Sequence, residues 1–302
     1  SESLESELRL EVASYLIRNL SSPVDNVIET SLTAIRALLY EGTCFNEFLG
    51  EELINQTAEL AIKNIDNLSI SRPACAILAV MSYSPMSHEF LSQSNIITIL
   101  FDMVSTEDVN SRELIAACFC NMSIKEEIRN VLIDAGVLVQ LKKLSNIVNE
   151  IIQSLCARCM CNLTCSIDRH EKMLLPLILE DESPQLASAP SPSSKKGANN
   201  KNEDSSQDYG ILSVVDMICQ VRTSSQETKE LCARTILNLL TPENFSKCCE
   251  GGAQRAFASI CADVDSASCQ AICGTGLLIF TSMTEGSEDL AHRSMVMSVM
   301  FR

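Results

Sequence analysis

The sequence predicts an all-α solenoid, a stack of similar helical units along one axis. Three observations carry that expectation. The first is a ten-residue segment, Leu155-Cys-Ala-Arg-Cys-Met-Cys-Asn-Leu-Thr164, which recurs with drift at 231–240, 114–123 and 73–82, and more faintly at 31–40 and 272–281. The second is its spacing. Taking the position of Asn162 as reference, the copies fall at Leu38, Val80, Asn121, Asn162, Asn238 and Ile279, at intervals of 42, 41, 41, 76 and 41 residues. A period near 41 marks units that each bury an apolar face only against the next one. The third is composition: the 302 residues are 46% hydrophobic but only 4% aromatic, without Trp, and hold ten glycines and eight prolines. Small aliphatic side chains suit closely stacked helices, and so few turn residues leave little room for a β protein.

The elements follow in order. Residues 5–20 place Leu8, Val12, Tyr15, Leu16 and Leu20 on a helical stripe. Ser21-Ser22-Pro23 ends it, and 24–39 form the next helix. The plan of a whole unit is clearest after Ser123. Residues 125–135 give a short helix ending at Gly136, 137–144 a second, and Ser145-Asn146 turns the chain into a long third helix ending at Asn162. Gly136 sits where the chain swings sharply between helices, a place for positive φ, and Gly252 repeats it.

The 76-residue interval is one period plus 35 residues. Residues 169–180 read as a first helix, and Gly210-Ile-Leu-Ser-Val-Val-Asp-Met-Ile218 copies 136–144, so the excess lies between a first and a second helix. Residues 181–209 are mostly Ser, Pro, Asn, Lys and Asp and cannot offset their ordering entropy, so disorder is expected. The expected organisation is repeats over 1–180, an insertion over 181–209, and the same solenoid continuing over 210–302. Its last segment, 287–302, carries Met295, Val296, Met297, Val299, Met300 and Phe301, an apolar end rather than a polar cap. A chain that opens at Ser1 without Met suggests an excerpt of something longer.

The net charge of −16 disfavours phosphate backbones and anionic membranes, whose non-specific binding rests on Lys and Arg. No leader and no apolar run approaching about 18 residues is present, which points to an intracellular, cytoplasmic or nuclear protein. Of the 15 cysteines, Cys118, Cys120, Cys156, Cys159, Cys161, Cys232 and Cys273 fall inside the repeated helix, as small buried hydrophobes rather than a disulfide framework.

The run Leu132-Ile-Asp-Ala-Gly-Val-Leu-Val-Gln-Leu-Lys-Lys-Leu144, followed by a helix of pattern Ala-x-x-x-x-Asn-Leu, resembles the armadillo repeat; a HEAT-like α-α superhelix is the alternative. The resemblance covers everything but the insertion. It implies a right-handed solenoid whose third helices line a concave face, where an Asn at this position hydrogen-bonds the backbone of an extended peptide. Asn121, Asn162 and Asn238 inherit that role by resemblance. The competing reading has each Asn bridging neighbouring helices without a ligand. One turn earlier stand Arg158 and Arg234, where cargo receptors of the importin-α type carry Trp. Two cations there suit an acidic or phosphorylated segment. Glu230 lies four residues before Arg234 and can pair with it, whereas Arg158 has Ser154 there and is the freer of the two.

Other constellations are weaker. Cys156, Cys159, Cys161 and Cys165 have zinc-like spacing, but on one helix Cys161 points away from Cys156 and Cys159, so core packing is favoured. His88, His170 and His292 match no nucleophile or metal pattern. Gly274-Thr-Gly276 is a fragment of a glycine-rich motif within a helix. Asn-x-Ser/Thr occurs at Asn55, Asn67, Asn121, Asn162 and Asn244, weak as a glycosylation signal. Ser183 and Ser191 precede prolines and are possible phosphorylation sites, with Lys195, Lys196 and Lys201 nearby. The expectation is a non-catalytic scaffold or adaptor, without cofactor or metal, holding an extended segment of a partner protein. It involves no nucleic acid and no membrane insertion. Among armadillo proteins it resembles the β-catenin-like and vacuole-inheritance adaptors. The alternative is the regulatory armadillo arm of a larger ubiquitin-ligase or NAD-cleaving enzyme, and an importin-α-like receptor comes third.

Overall fold

The computed structural model describes residues 2–42, 44–177, 209–221 and 224–283, and every regular element among them is a helix. The chain opens with α1 (Glu2–Asn19) and the long α2 (Asp25–Glu41). Then come α3 (Phe45–Phe48), α4 (Glu51–Lys63) and α5 (Leu68–Ser82), followed by α6 (His88–Leu91), α7 (Ser94–Met103) and α8 (Val109–Met122). The next unit is α9 (Glu126–Ala135), α10 (Val137–Ser145) and α11 (Glu150–Leu163). The last two are α12 (His170–Met173), α13 (Ile211–Gln220) and α14 (Gln226–Leu239), then α15 (Phe245–Glu250), α16 (Ala253–Asp263) and α17 (Ala267–Met283). Each complete unit has the short, middle, long order read from residues 125–162.

The boundaries have local causes. Asp108, Asn149 and Ser225 each accept a hydrogen bond from the backbone N–H three residues on, which starts α8, α11 and α14. Gly136 closes α9 and opens α10 at φ 97°, a left-handed conformation costly to any residue with a Cβ, and Gly252 stands at φ 77° before α16.

The long helices α2, α5, α8, α11, α14 and α17 each pack on the next, forming one continuous layer. The middle helices pack beneath it, α4 on α7, α10 on α13 and α13 on α16. Between the layers lies a core of Leu, Ile, Ala, Cys and Met, with Phe48, Phe119, Phe257 and Phe280 as its largest members. Because α11 packs on α14 and α10 on α13, the units before and after the insertion are direct neighbours. The chain also closes on itself there. A Cβ at Gly210 (φ 60°) would overlap the Met173 carbonyl and sit 2.5 Å from the Leu175 carbonyl oxygen.

The first helix expected over 169–180 is shorter than its pattern. A 3-10 turn, Ile167–Arg169, leads into α12, which stops at Met173; Pro176 explains this, since the residue before a proline is driven out of the helical region. Almost all of the expected insertion, including Ser183 and Ser191, and the apolar segment 287–302 lie outside the described residues.

Candidate functional site

The Asn row lies near the C-terminal ends of α8, α11 and α14. Each Asn is half-buried and each reaches back to the preceding repeat. Asn121 Nδ2 donates to Ser82 Oγ and Asn162 Nδ2 to Ser123 Oγ, both at 2.9 Å. Asn238 Nδ2 donates to Thr164 Oγ1 at 3.1 Å, with the Cys161 carbonyl at 3.4 Å. The acceptor hydroxyl stands two residues past the reference position of its own repeat. Where that place holds Tyr40 or Leu240, the following repeat has Val80 or Ile279 instead of Asn. Asn and hydroxyl therefore occur together: the amide finds its partner in the neighbouring helix, or the Asn is absent. The Asn-x-Ser/Thr pattern at Asn121 and Asn162 is the trace of this arrangement, since one residue of the pair bonds backward and the other forward. The three Oδ1 atoms have no protein partner among the described residues, and neither has the second amide hydrogen of Asn121 or Asn162, whereas Asn238 Nδ2 also has Cys165 Sγ at 4.0 Å.

The two arginines are both engaged. Arg234 pairs with Glu230 at 2.8 Å within its own helix, and Ser268 Oγ also donates to Glu230. Arg158, expected to be the freer, is not. Its Nη2 reaches Glu227 Oε1 at 2.6 Å, on the long helix of the next repeat. Ser154 offers no local carboxylate, so the guanidinium takes one that stacking brings alongside. Both ends of that pair are exposed, and exposed pairs contribute only about 0.2–1 kcal/mol. Further along the same layer, Arg72 on α5 donates from Nε and Nη2 to Asp108, the cap of α8, at 3.1 and 2.6 Å. That contact holds the Asp108 carboxyl down at about 2, helped by the Ser111 hydroxyl and N–H.

The histidines had no role in the sequence reading, but the structure gives two of them one. His88 and His170 are buried six residues after the acceptor hydroxyls of Ser82 and Thr164. Each places Nε2 2.8 Å from the carbonyl oxygen of that same Ser82 or Thr164, closing the frayed end of a long helix. In the repeat between them Arg129 does this, donating to the Ile124 carbonyl at 3.0 Å and to Ser166 Oγ at 3.2 Å. A His or Arg six residues past the hydroxyl was the available signal.

Cys156 and Cys159 are fully buried, Cys161 is half-buried and Cys165 exposed. Burial pushes the Cys156 thiol up to about 12 and that of Cys161 to about 11, where they stay protonated and inert. The four do not converge: among the described residues no group of three His, Cys, Asp or Glu side chains is placed to hold a metal. Gly276, from the glycine-rich fragment, faces the Phe257 ring, where a Cβ would lie 2.5 Å from Cζ. Its lack of a side chain serves packing of α17 on α16. No described helix is long and apolar enough to cross a membrane.

No protein-family profile matches the sequence, and no curated protein matches it either. Solved structures do. A designed armadillo repeat protein superposes with a TM-score of 0.61 at 15% identity, over 88% of this chain and 98% of that one. Another, in complex with the peptide (KR)4, gives 0.62 at 15% identity over the same shares. A chain from a structure of the phosphorylation-switched interaction between cadherin and beta-catenin gives 0.61 at 11% identity, over 91% of this chain and 46% of that one. At such identities the likeness is one of fold, and that fold is the armadillo α-solenoid.

Proposed function

We propose that the chain is a non-catalytic protein-binding scaffold whose layer of long helices holds an extended segment of a partner. The observation that carries this is the row of half-buried amides at one level of α8, α11 and α14. Each is fixed by a bond to the preceding repeat and keeps a carbonyl oxygen for a ligand, and Asn121 and Asn162 keep an amide hydrogen as well. A peptide unit offers one donor and one acceptor, so such a row fits a backbone whatever its side chains. Two designed armadillo relatives in fold lend support, one bound to a peptide and one made for modular peptide recognition.

The finer part of the reading is an acidic or phosphorylated ligand. Arg158 and Arg234 stand one turn from Asn162 and Asn238, and their exposed pairs with Glu227 and Glu230 are weak enough for a phosphate or carboxylate to displace. The test is a phosphorylated and non-phosphorylated acidic peptide library screened against wild type, Arg158→Glu and Arg234→Glu. Each reversal is expected to weaken selected peptides about ten-fold, in a salt-dependent way. Selected peptides that bind both variants as well as wild type would remove the arginines from the site. Selection of basic peptides would reverse the charge reading and keep the scaffold.

A further inference from the structure

Among the described residues six large apolar side chains are more than 65% exposed: Tyr40, Tyr83, Met86, Ile124, Val148 and Ile167. Single exposed hydrophobics are ordinary, but the placement of these is not. All except Val148 lie at one kind of corner, where a long helix ends and the next repeat's first helix begins. Tyr40 is in the last turn of α2, Tyr83 and Met86 follow α5, Ile124 follows α8, and Ile167 follows α11. Since α2, α5, α8 and α11 pack in succession, these side chains form a row along one edge of the array, stepping about 8–10 Å per repeat.

The row is set in negative charge. Glu41, Glu89, Glu126, Glu127 and Asp168 are exposed in the same corners. The long helices also direct their C-terminal, partially negative ends here. Of the cations nearby, Arg129 is held by the Ile124 carbonyl and Ser166, Arg169 by Asp134 and Asp168, and Lys172 by Asp134, which leaves Lys125 and, one turn before Tyr40, Arg36.

We propose that this edge docks a basic amphipathic helix of a partner protein. A helix satisfies its own backbone groups, so it can lie on apolar side chains. An extended strand would need donors and acceptors that these corners have already committed, through His88, Arg129 and His170, to closing the long helices. At a rise of 1.5 Å a step of about 8–10 Å takes about five to seven residues, and the upper end of that range is close to two turns. Apolar side chains at i, i+7 and i+14 therefore meet Tyr83, Ile124 and Ile167 in turn, with Lys and Arg flanking them over the acidic corners. This edge adjoins the Asn row, since Tyr83 and Ile124 directly follow Ser82 and Ser123, the hydroxyls that Asn121 and Asn162 bond, but it presents apolar side chains rather than amides.

The probe is a synthetic helix of about 21 residues with a Leu stripe at that period and Lys/Arg flanks. A Glu-flanked version and a scrambled one are the controls, with binding read by fluorescence anisotropy. The double variant Tyr83→Ser/Ile124→Ser is expected to bind the probe at least about ten-fold more weakly, with helix content retained because both side chains are exposed. Ile167→Lys should weaken it independently, through a different corner. Asn162→Ala should bind it as wild type does, which separates this edge from the peptide-binding layer. Undiminished binding by both edge variants would overturn the proposal, as would equal binding of the scrambled or Glu-flanked helix. So would sedimentation showing that wild type ignores the probe and self-associates through Tyr83 and Ile124.

Discussion

Replacing Asn162 by Ala tests what the Asn row does before any ligand arrives. The amide donates to Ser123 Oγ at 2.9 Å in a half-buried site, and such a bond contributes about 0.5–1.5 kcal/mol net. Ser123 Oγ also donates to the Cys120 carbonyl at 2.6 Å, so losing Asn162 leaves the hydroxyl a partner and places the cost in the lower half of that range. Ser123→Ala frees the amide where water can reach it, at a similar cost. The double variant should then cost less than the two singles summed, with a coupling of about 0.5–1 kcal/mol. Urea unfolding followed by circular dichroism gives the four stabilities. Hydrogen exchange across α8 and α11 covers the case in which the array does not unfold in one step. A coupling indistinguishable from zero would mean that the bond holds nothing, and that the co-occurrence of Asn with a preceding Ser or Thr has another cause.

Gly276→Ala should destabilise by about 1–3 kcal/mol, because its Cβ meets the Phe257 ring. Gly274→Ala, two residues away with nothing within 4 Å, should stabilise by about 0.5–1 kcal/mol; equal thermal shifts in the two variants would contradict this packing. In a thiol-labelling time course at pH 8, exposed Cys165 should react first, and Cys118, Cys156 and Cys159 only on unfolding. Early labelling of Cys156, whose thiol burial pushes up to about 12, would argue against the core. Asp108, held at about 2 by Arg72, titrates lower folded than the roughly 3.9 of an unfolded chain. Its stabilisation is therefore present above about pH 4 and lost as pH falls through about 2. Asp108→Asn should lower Tm at pH 7 and converge on wild type near pH 2; a constant gap across that range would place the effect elsewhere.

The sequence determined the fold because the repeat is local. One drifting segment at a period near 41 residues fixes the helix order, and a glycine corner at Gly136 fixes where the chain turns. These depend on residues a few positions apart, which a linear reading sees. The site residues were legible as a row but not in their bonding. Asn162 and Ser123 are 39 residues apart and Arg158 and Glu227 are 69, and a helical i, i+4 pattern can reveal only pairs such as Arg234–Glu230. The sequence even displayed half of each inter-repeat pair as an Asn-x-Ser/Thr motif, without saying that the two ends bond to different neighbours. Only the stacked structure decided that the amides tie repeats together, that Arg158 has a carboxylate, and that His88 and His170 close helix ends. It alone decided which apolar residues remain uncovered along an edge. Helix formation is settled within one segment, whereas the partner of a side chain is settled by the register between segments, which exists only once they have packed.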